Sequence, residues 1–122
     1  MSKHEIKWLD EPEPHDYPAA HDYLRLIYMR QAEGLITWLR KAKVEHFKAK
    51  DLFRASALPL LDASNYHVKK DRKKIKNGVA LSPLLLAEDN GHLIICDGYH
   101  RLCACYGFDE DAEIPCKIVL VP

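Results

Sequence analysis

"HLIICDGYHRLCAC", residues 92–105, is the stretch on which the fold turns. Leu93 to Cys96 is an apolar run of strand length that stops at Asp97-Gly98, and Tyr99, His100 and Arg101 open a segment of helical character. Immediately upstream, "SPLLLAED" supplies a second apolar run, and Asn90-Gly91 between the two is the pair that provides the positive φ angles of a two-residue hairpin. A hairpin is therefore predicted to feed straight into a helix through a tight turn. Such a turn presents the first free N–H groups of the helix, with the positive end of its dipole, at the carboxyl end of a strand, which suits an anion. Gly98 lets a ligand approach the backbone, Arg101 offers a planar fork for phosphate oxygens, and His100 adds a donor. Asp97 does not fit simple anion binding; it caps the helix, holds Mg²⁺, or accepts a proton from a substrate hydroxyl. An Asp-Gly turn also serves as plain capping, with His100 and Arg101 in a solvated first turn, so local physics leaves both readings open.

Working outward, "IPCKIVLV" (114–121) reads as a closing strand after a loop over 107–113. "VKKDRKKIKNG" (68–78) is a short, very basic helix with Val68 and Ile75 seven apart and a stop at Asn77-Gly78. "VEHFKAK" (44–50) alternates as a strand with His46 and Lys48 on the face of Val44, then "DLFRAS" forms a short helix capped by Asp51, and 57–67 is a loop. Residues 19–43 carry Tyr23, Leu24, Ile27, Tyr28, Leu35, Trp38, Leu39 and Ala42 at helical spacing, predicting one helix or two meeting at Gly34, with the stripe used for core packing. Residues 1–18, with three prolines, read as an arm that Trp8 and Leu9 could dock. The organisation predicted is an N-terminal arm (1–18), a helical extension (19–43) and an α+β domain (44–122).

The chain has 122 residues, 48% hydrophobic and 30% charged, with 18 basic against 18 acidic side chains. That is one domain's worth of core and favours neither disorder nor a polyelectrolyte role. No apolar run approaches the roughly 18 residues a membrane span needs, and the first residues lack the apolar centre of a signal peptide, so no membrane association and a cytoplasmic location are expected. Cys96, Cys103, Cys105 and Cys116 lack a C-x-x-C pair and read as small buried apolar groups rather than metal ligands.

"PLLLAEDNGHLIICDGYHRLCACYGFDEDAEIPCKIV" (83–119) resembles the core of the ParB/sulfiredoxin-like superfamily, whose members join a hairpin to a D-G-H-H-R-like or G-C-H-R-like turn, a helix and an "IP.KIV"-type strand. The likeness runs from about residue 44 to 121. Through "HFKAKD", "DGYHR" and "IPC" the chain is also similar to a group of small bacterial proteins of unassigned function. The resemblance implies a small mixed sheet and a phosphate-binding turn, with Gly98, Tyr99, His100 and Arg101 at a nucleotide's phosphates. It also implies that His67, Lys70 and Lys74, on the helix ending at Gly78, face the same nucleotide, for which ATP, ADP or CTP is expected; if Mg²⁺ accompanies it, Asp97 is the ligand that the turn itself offers. Lys70 and Lys74, four apart, share a helix face and can reach one polyphosphate together.

The departures bear on activity. Tyr99 stands where sulfiredoxins carry their catalytic cysteine, which argues against that reaction. The basic stretch from Lys69 to Lys76 is offset to zero net charge, and no helix-turn-helix follows the closing strand, so sequence-specific DNA binding is not expected. Free-serine kinases of the superfamily use a D-G-H-type turn in which an acidic residue activates the hydroxyl, a place that Asp97 would take. The expectation is thus a nucleotide-binding protein; as a phosphotransferase or nucleotide hydrolase it would use Asp97 as base or metal ligand and His100 to stabilise developing charge. The alternative is a protein-interaction module, in which the arm and helical extension form a homodimer or partner surface anchored by Trp8, Tyr28 or Trp38. A ParB-like nuclease is a third reading, but Asp97 and Asp71 form no paired-carboxylate motif of the two-metal kind.

Overall fold

A computed structural model describes residues 5–122; Met1 to His4, the start of the predicted arm, lie outside the described residues. Two apolar runs decide the architecture. "LLLA" and "LIIC" are buried continuously rather than alternately because helices cover the sheet on both faces. The strands are β1 (Glu45–Lys48), β2 (Leu84–Asp89), β3 (His92–Asp97) and β4 (Glu113–Leu120), in the order β1-β4-β2-β3. β2 and β3 form the predicted antiparallel hairpin, with Asn90 and Gly91 at φ 51° and 84°. β4 returns parallel to β2, and β1 pairs antiparallel with the first half of β4. The result is an α+β fold with a mixed sheet.

Side-chain alternation sorts the strands into two cores. Leu84, Leu86, Leu93, Ile95, Ile114 and Cys116 face α3 (Ala49–Ser56), α4 (Tyr66–Lys76) and α5 (Tyr99–Phe108). Leu85, Ala87, Ile94, Cys96 and Val119 face α1 (Asp16–Ile27) and α2 (Ala32–Lys41), which contribute Leu24, Leu35 and Leu39. The predicted helical extension thus shares a core with the sheet. Its break differs from the sequence reading: the helices part at Tyr28 to Gln31, and Gly34 lies inside α2. Tyr28 donates its hydroxyl to Asp89 at the hairpin, which fixes the break against β2. Tyr23, Ile27 and Trp38 lie outside the buried stripe.

Three further boundaries move for local reasons. α1 begins at Asp16, so Pro18 falls in the first helical turn, where a missing N–H breaks no hydrogen bond. α3 begins at Ala49 behind an extended Lys48; Asp51 therefore does not cap it but pairs with Arg54 one turn on. α4 begins two residues before Val68 because the Asn65 side chain accepts from the N–H groups of His67 and Val68, an N-cap that the loop assignment hid. The Asn77-Gly78 stop is as predicted, with Gly78 at φ 71°. The arm is docked: Leu9 N–H donates to the Leu81 carbonyl and Leu81 N–H to that of Lys7, so Trp8 bridges Leu81.

Candidate functional site

α4 and α5 pack against each other behind the carboxyl end of β3. On α4, His67, Lys70, Asp71 and Lys74 stand at i, i+3, i+4 and i+7, one stripe of the helix, while Val68 and Ile75 bury the other side. On α5 the first residues Tyr99, His100 and Arg101 face that stripe across a polar cavity of about 200 Å³, floored by Asp97 and Gly98. The structure thus brings together every residue named for phosphate contact at the turn and on the basic helix. It adds Asp71, whose place on the stripe follows from the same i+4 spacing to His67 that was applied to the lysines.

Gly98 occupies the N-cap position of α5 at φ 108°, a conformation that L side chains rarely adopt. A Cβ there would lie 2.7 Å from Leu84 Cγ and 2.9 Å from Arg101 Nη2, so close packing, besides ligand access, calls for glycine. Asp97 does not cap the helix, since α5 has no side-chain cap. Its Oδ2 instead accepts from Arg101 Nη2 at 3.1 Å, one turn along. Arg101 is held further by two carbonyls, Ser82 O from Nε at 2.9 Å and Pro83 O from Nη2 at 3.3 Å. The edge of its guanidinium left for an anion is Nη1. Ser82 and Pro83 were invisible as partners in the sequence, because backbone carbonyls carry no residue signature.

The electrostatics are mixed, with Lys70, Lys74 and Arg101 against Asp71 and Asp97 around one cavity. Burial pushes the Asp97 carboxyl above its ordinary value against the opposing pull of Arg101. Burial likewise pushes Asp71 up, outweighing Lys74, Arg101, His100 and Lys70. His100 is held below its ordinary 6.5 by burial and by His67, whose ring centroid is 4.9 Å away, against the opposing pull of Asp71. Tyr99 donates its hydroxyl to the Pro59 carbonyl and so pins the loop before α4 to the start of α5.

The four thiols are free and buried, as expected of small apolar groups. Burial pushes Cys96, Cys105 and Cys116 up to about 12 and raises Cys103, which leaves no activated nucleophile among them. Of the aromatic anchors, Trp8 packs on the core, Tyr28 is bound to Asp89, and Trp38 is exposed beside Leu120. His46 and Lys48 are exposed on β1, away from the cavity. Among the described residues no helix is long and apolar enough to cross a membrane. No protein-family model, curated protein or solved structure matches the chain.

Proposed function

We propose that this chain is a small nucleotide-binding protein of ParB/sulfiredoxin-like fold that holds a polyphosphate between α4 and α5. The observation that supports this reading is the meeting of Lys70, Lys74, His67, His100 and Arg101 with the N-terminus of α5 in one polar cavity. The helix dipole and unpaired N–H groups favour an anion at Gly98 and Tyr99, the lysines add mobile charge, and Arg101 Nη1 adds a fixed donor. A cavity of about 200 Å³ suits phosphate groups, with the nucleoside lying outward toward Tyr66, which is 70% exposed and packs edge-on against His67.

Calorimetric titration with ATP, ADP, CTP and GTP, each with and without Mg²⁺, tests the reading. Binding of one nucleotide in the micromolar range, lost in the Lys70→Ala/Lys74→Ala double variant, is the expected result. Absence of binding to the folded protein by all four overturns it. The lysine pair is a cleaner probe than Arg101, because both lysines are exposed on α4 whereas Arg101 also holds the chain together.

A further inference from the structure

Phosphate binding has no use for Asp71. It lines the same cavity as Lys70, Lys74 and Arg101, yet a carboxylate there repels the anion the site attracts. It is also largely buried, with 13% of its side chain exposed. Its nearest cation, Lys74 Nζ, is 4.0 Å away, beyond hydrogen-bond range, and among the described residues none donates a hydrogen bond to it. Asp97 lines the same cavity and is nearly as buried, but its carboxylate is bonded to Arg101. A carboxylate with no hydrogen-bond donor beside an anion site is placed to take up a proton in a step that follows binding.

We propose that the cavity hydrolyses the terminal phosphoanhydride of a nucleoside triphosphate, with Asp71 as the general base; this rests on the phosphate-binding reading. Water is the only co-reactant. Its oxygen forms a bond to the terminal phosphorus while one O–H bond breaks and that proton passes to an Asp71 oxygen. The bond from phosphorus to the bridging oxygen breaks, and the nucleoside diphosphate leaves with the electron pair. Asp71 then returns its proton to solvent. Lys70 and Lys74 stand on the same stripe to neutralise the charge spread over the transferred group.

The groups around Asp71 set its proton affinity. On its own helix these are His67, Lys70 and Lys74; on α5 they are His100, Arg101 and the buried thiol of Cys105; on β3 it is Asp97. Burial outweighs the cations and raises the Asp71 carboxyl, which strengthens it as a base while leaving it ionised once the pH exceeds its raised value.

The test combines phosphate release from ATP, CTP and GTP with calorimetric binding, in wild type, Asp71→Asn and Asp71→Glu. The expected result is turnover by wild type, a fall in kcat of about 100-fold or more in Asp71→Asn with Kd unchanged or tighter, and partial rescue with a displaced acidic limb in Asp71→Glu. Nucleotide bound without hydrolysis, or an undiminished rate in Asp71→Asn, overturns the hydrolysis and leaves phosphate binding intact. Failure of wild type to bind any nucleotide overturns both. Should Asp71→Asn not fold, the acidic limb of Asp71→Glu decides: an unmoved limb overturns Asp71 as the base.

Discussion

Arg101 Nη2 and Asp97 Oδ2 lie 3.1 Å apart across the turn that joins β3 to α5, with side-chain exposures of 17% and 19%. The pair closes a clamp whose other jaws are the carbonyls of Ser82 and Pro83, just before β2. Arg101 therefore joins the start of the hairpin to its end. Replacing it by Ala leaves two carbonyls and a half-buried carboxylate without their donor, and a loss of about 2 kcal/mol in chemical denaturation is expected. A variant as stable as wild type would show that water replaces the clamp.

Gly98→Ala tests the turn itself. The new Cβ meets Leu84 Cγ at 2.7 Å in a backbone held at φ 108°, and Leu84 is fully buried. Strain and overpacking together predict destabilisation of about 2–4 kcal/mol in urea titration. Because Arg101 Nη2 also lies 2.9 Å from that Cβ, the Arg101 clamp is displaced as well.

Much of this arrangement was legible in the residues. Asn90-Gly91 fixed the hairpin, and the residue types at 97–101 named the turn, because turns and caps are local and carry residue signatures. For the stripe of α4 the residues alone show only a basic helix with Lys70 and Lys74 on one face; the resemblance points to His67, Lys70 and Lys74, and Asp71 at the same spacing carries no signature that separates it from a solvated carboxylate. The break between α1 and α2 was not legible at Gly34, because the Tyr28 to Asp89 hydrogen bond that sets it spans 61 residues of sequence. Nor could local pattern show that Arg101 spends Nε and Nη2 on backbone carbonyls 19 and 18 residues away.

Asp71→Asn is expected to stabilise the fold at neutral pH, because it removes a buried carboxylate that has no hydrogen-bond donor. The sign follows from linkage. Burial raises the folded carboxyl above its ordinary 3.8, so folding favours the protonated form; that contribution is complete below pH 3.8 and is lost as the pH rises through the raised folded value. The Asp71→Asn variant lacks this loss, so its melting temperature should exceed wild type at pH 7 and the difference should close on approach to pH 3.8. A constant difference across that range would show that the carboxyl's burial is not the cause.

Lys117 ties the arm to the sheet. Its ammonium is 1% exposed and donates to Tyr17 Oη and the Arg40 carbonyl, both at 3.1 Å, and pairs with Glu11 at 2.9 Å. Burial lowers its pKa, but the hydrogen bonds to Glu11 and Tyr17 outweigh burial and raise it above 10.5. The stabilisation is thus fully present below pH 10.5 and lost only as the pH passes the raised value. Lys117→Met should cost about 2–3 kcal/mol at pH 7. Faster amide exchange at Leu9 and Leu81, whose N–H groups join the arm to the sheet, would locate that loss. Unchanged exchange there would assign Lys117 to the helix packing alone.

Lys70 and Lys74 separate charge from fold. Both side chains lie on the outer stripe of α4, and the Lys74 to Asp71 approach of 4.0 Å is too long to contribute much stability. Each single alanine variant should keep the wild-type denaturation midpoint and lose about tenfold in affinity for inorganic triphosphate, one charge-assisted contact being worth roughly 1.5 kcal/mol. The wild-type affinity should fall with added salt, and the double variant should show a shallower dependence, since fewer exposed cations meet the anion. Equal affinities in wild type and the double variant would remove α4 from the site and leave the turn at Gly98 to bind alone. A lowered midpoint in either single variant would mean that the lysine holds α4 against α5, and the affinity loss would then report unfolding rather than contact.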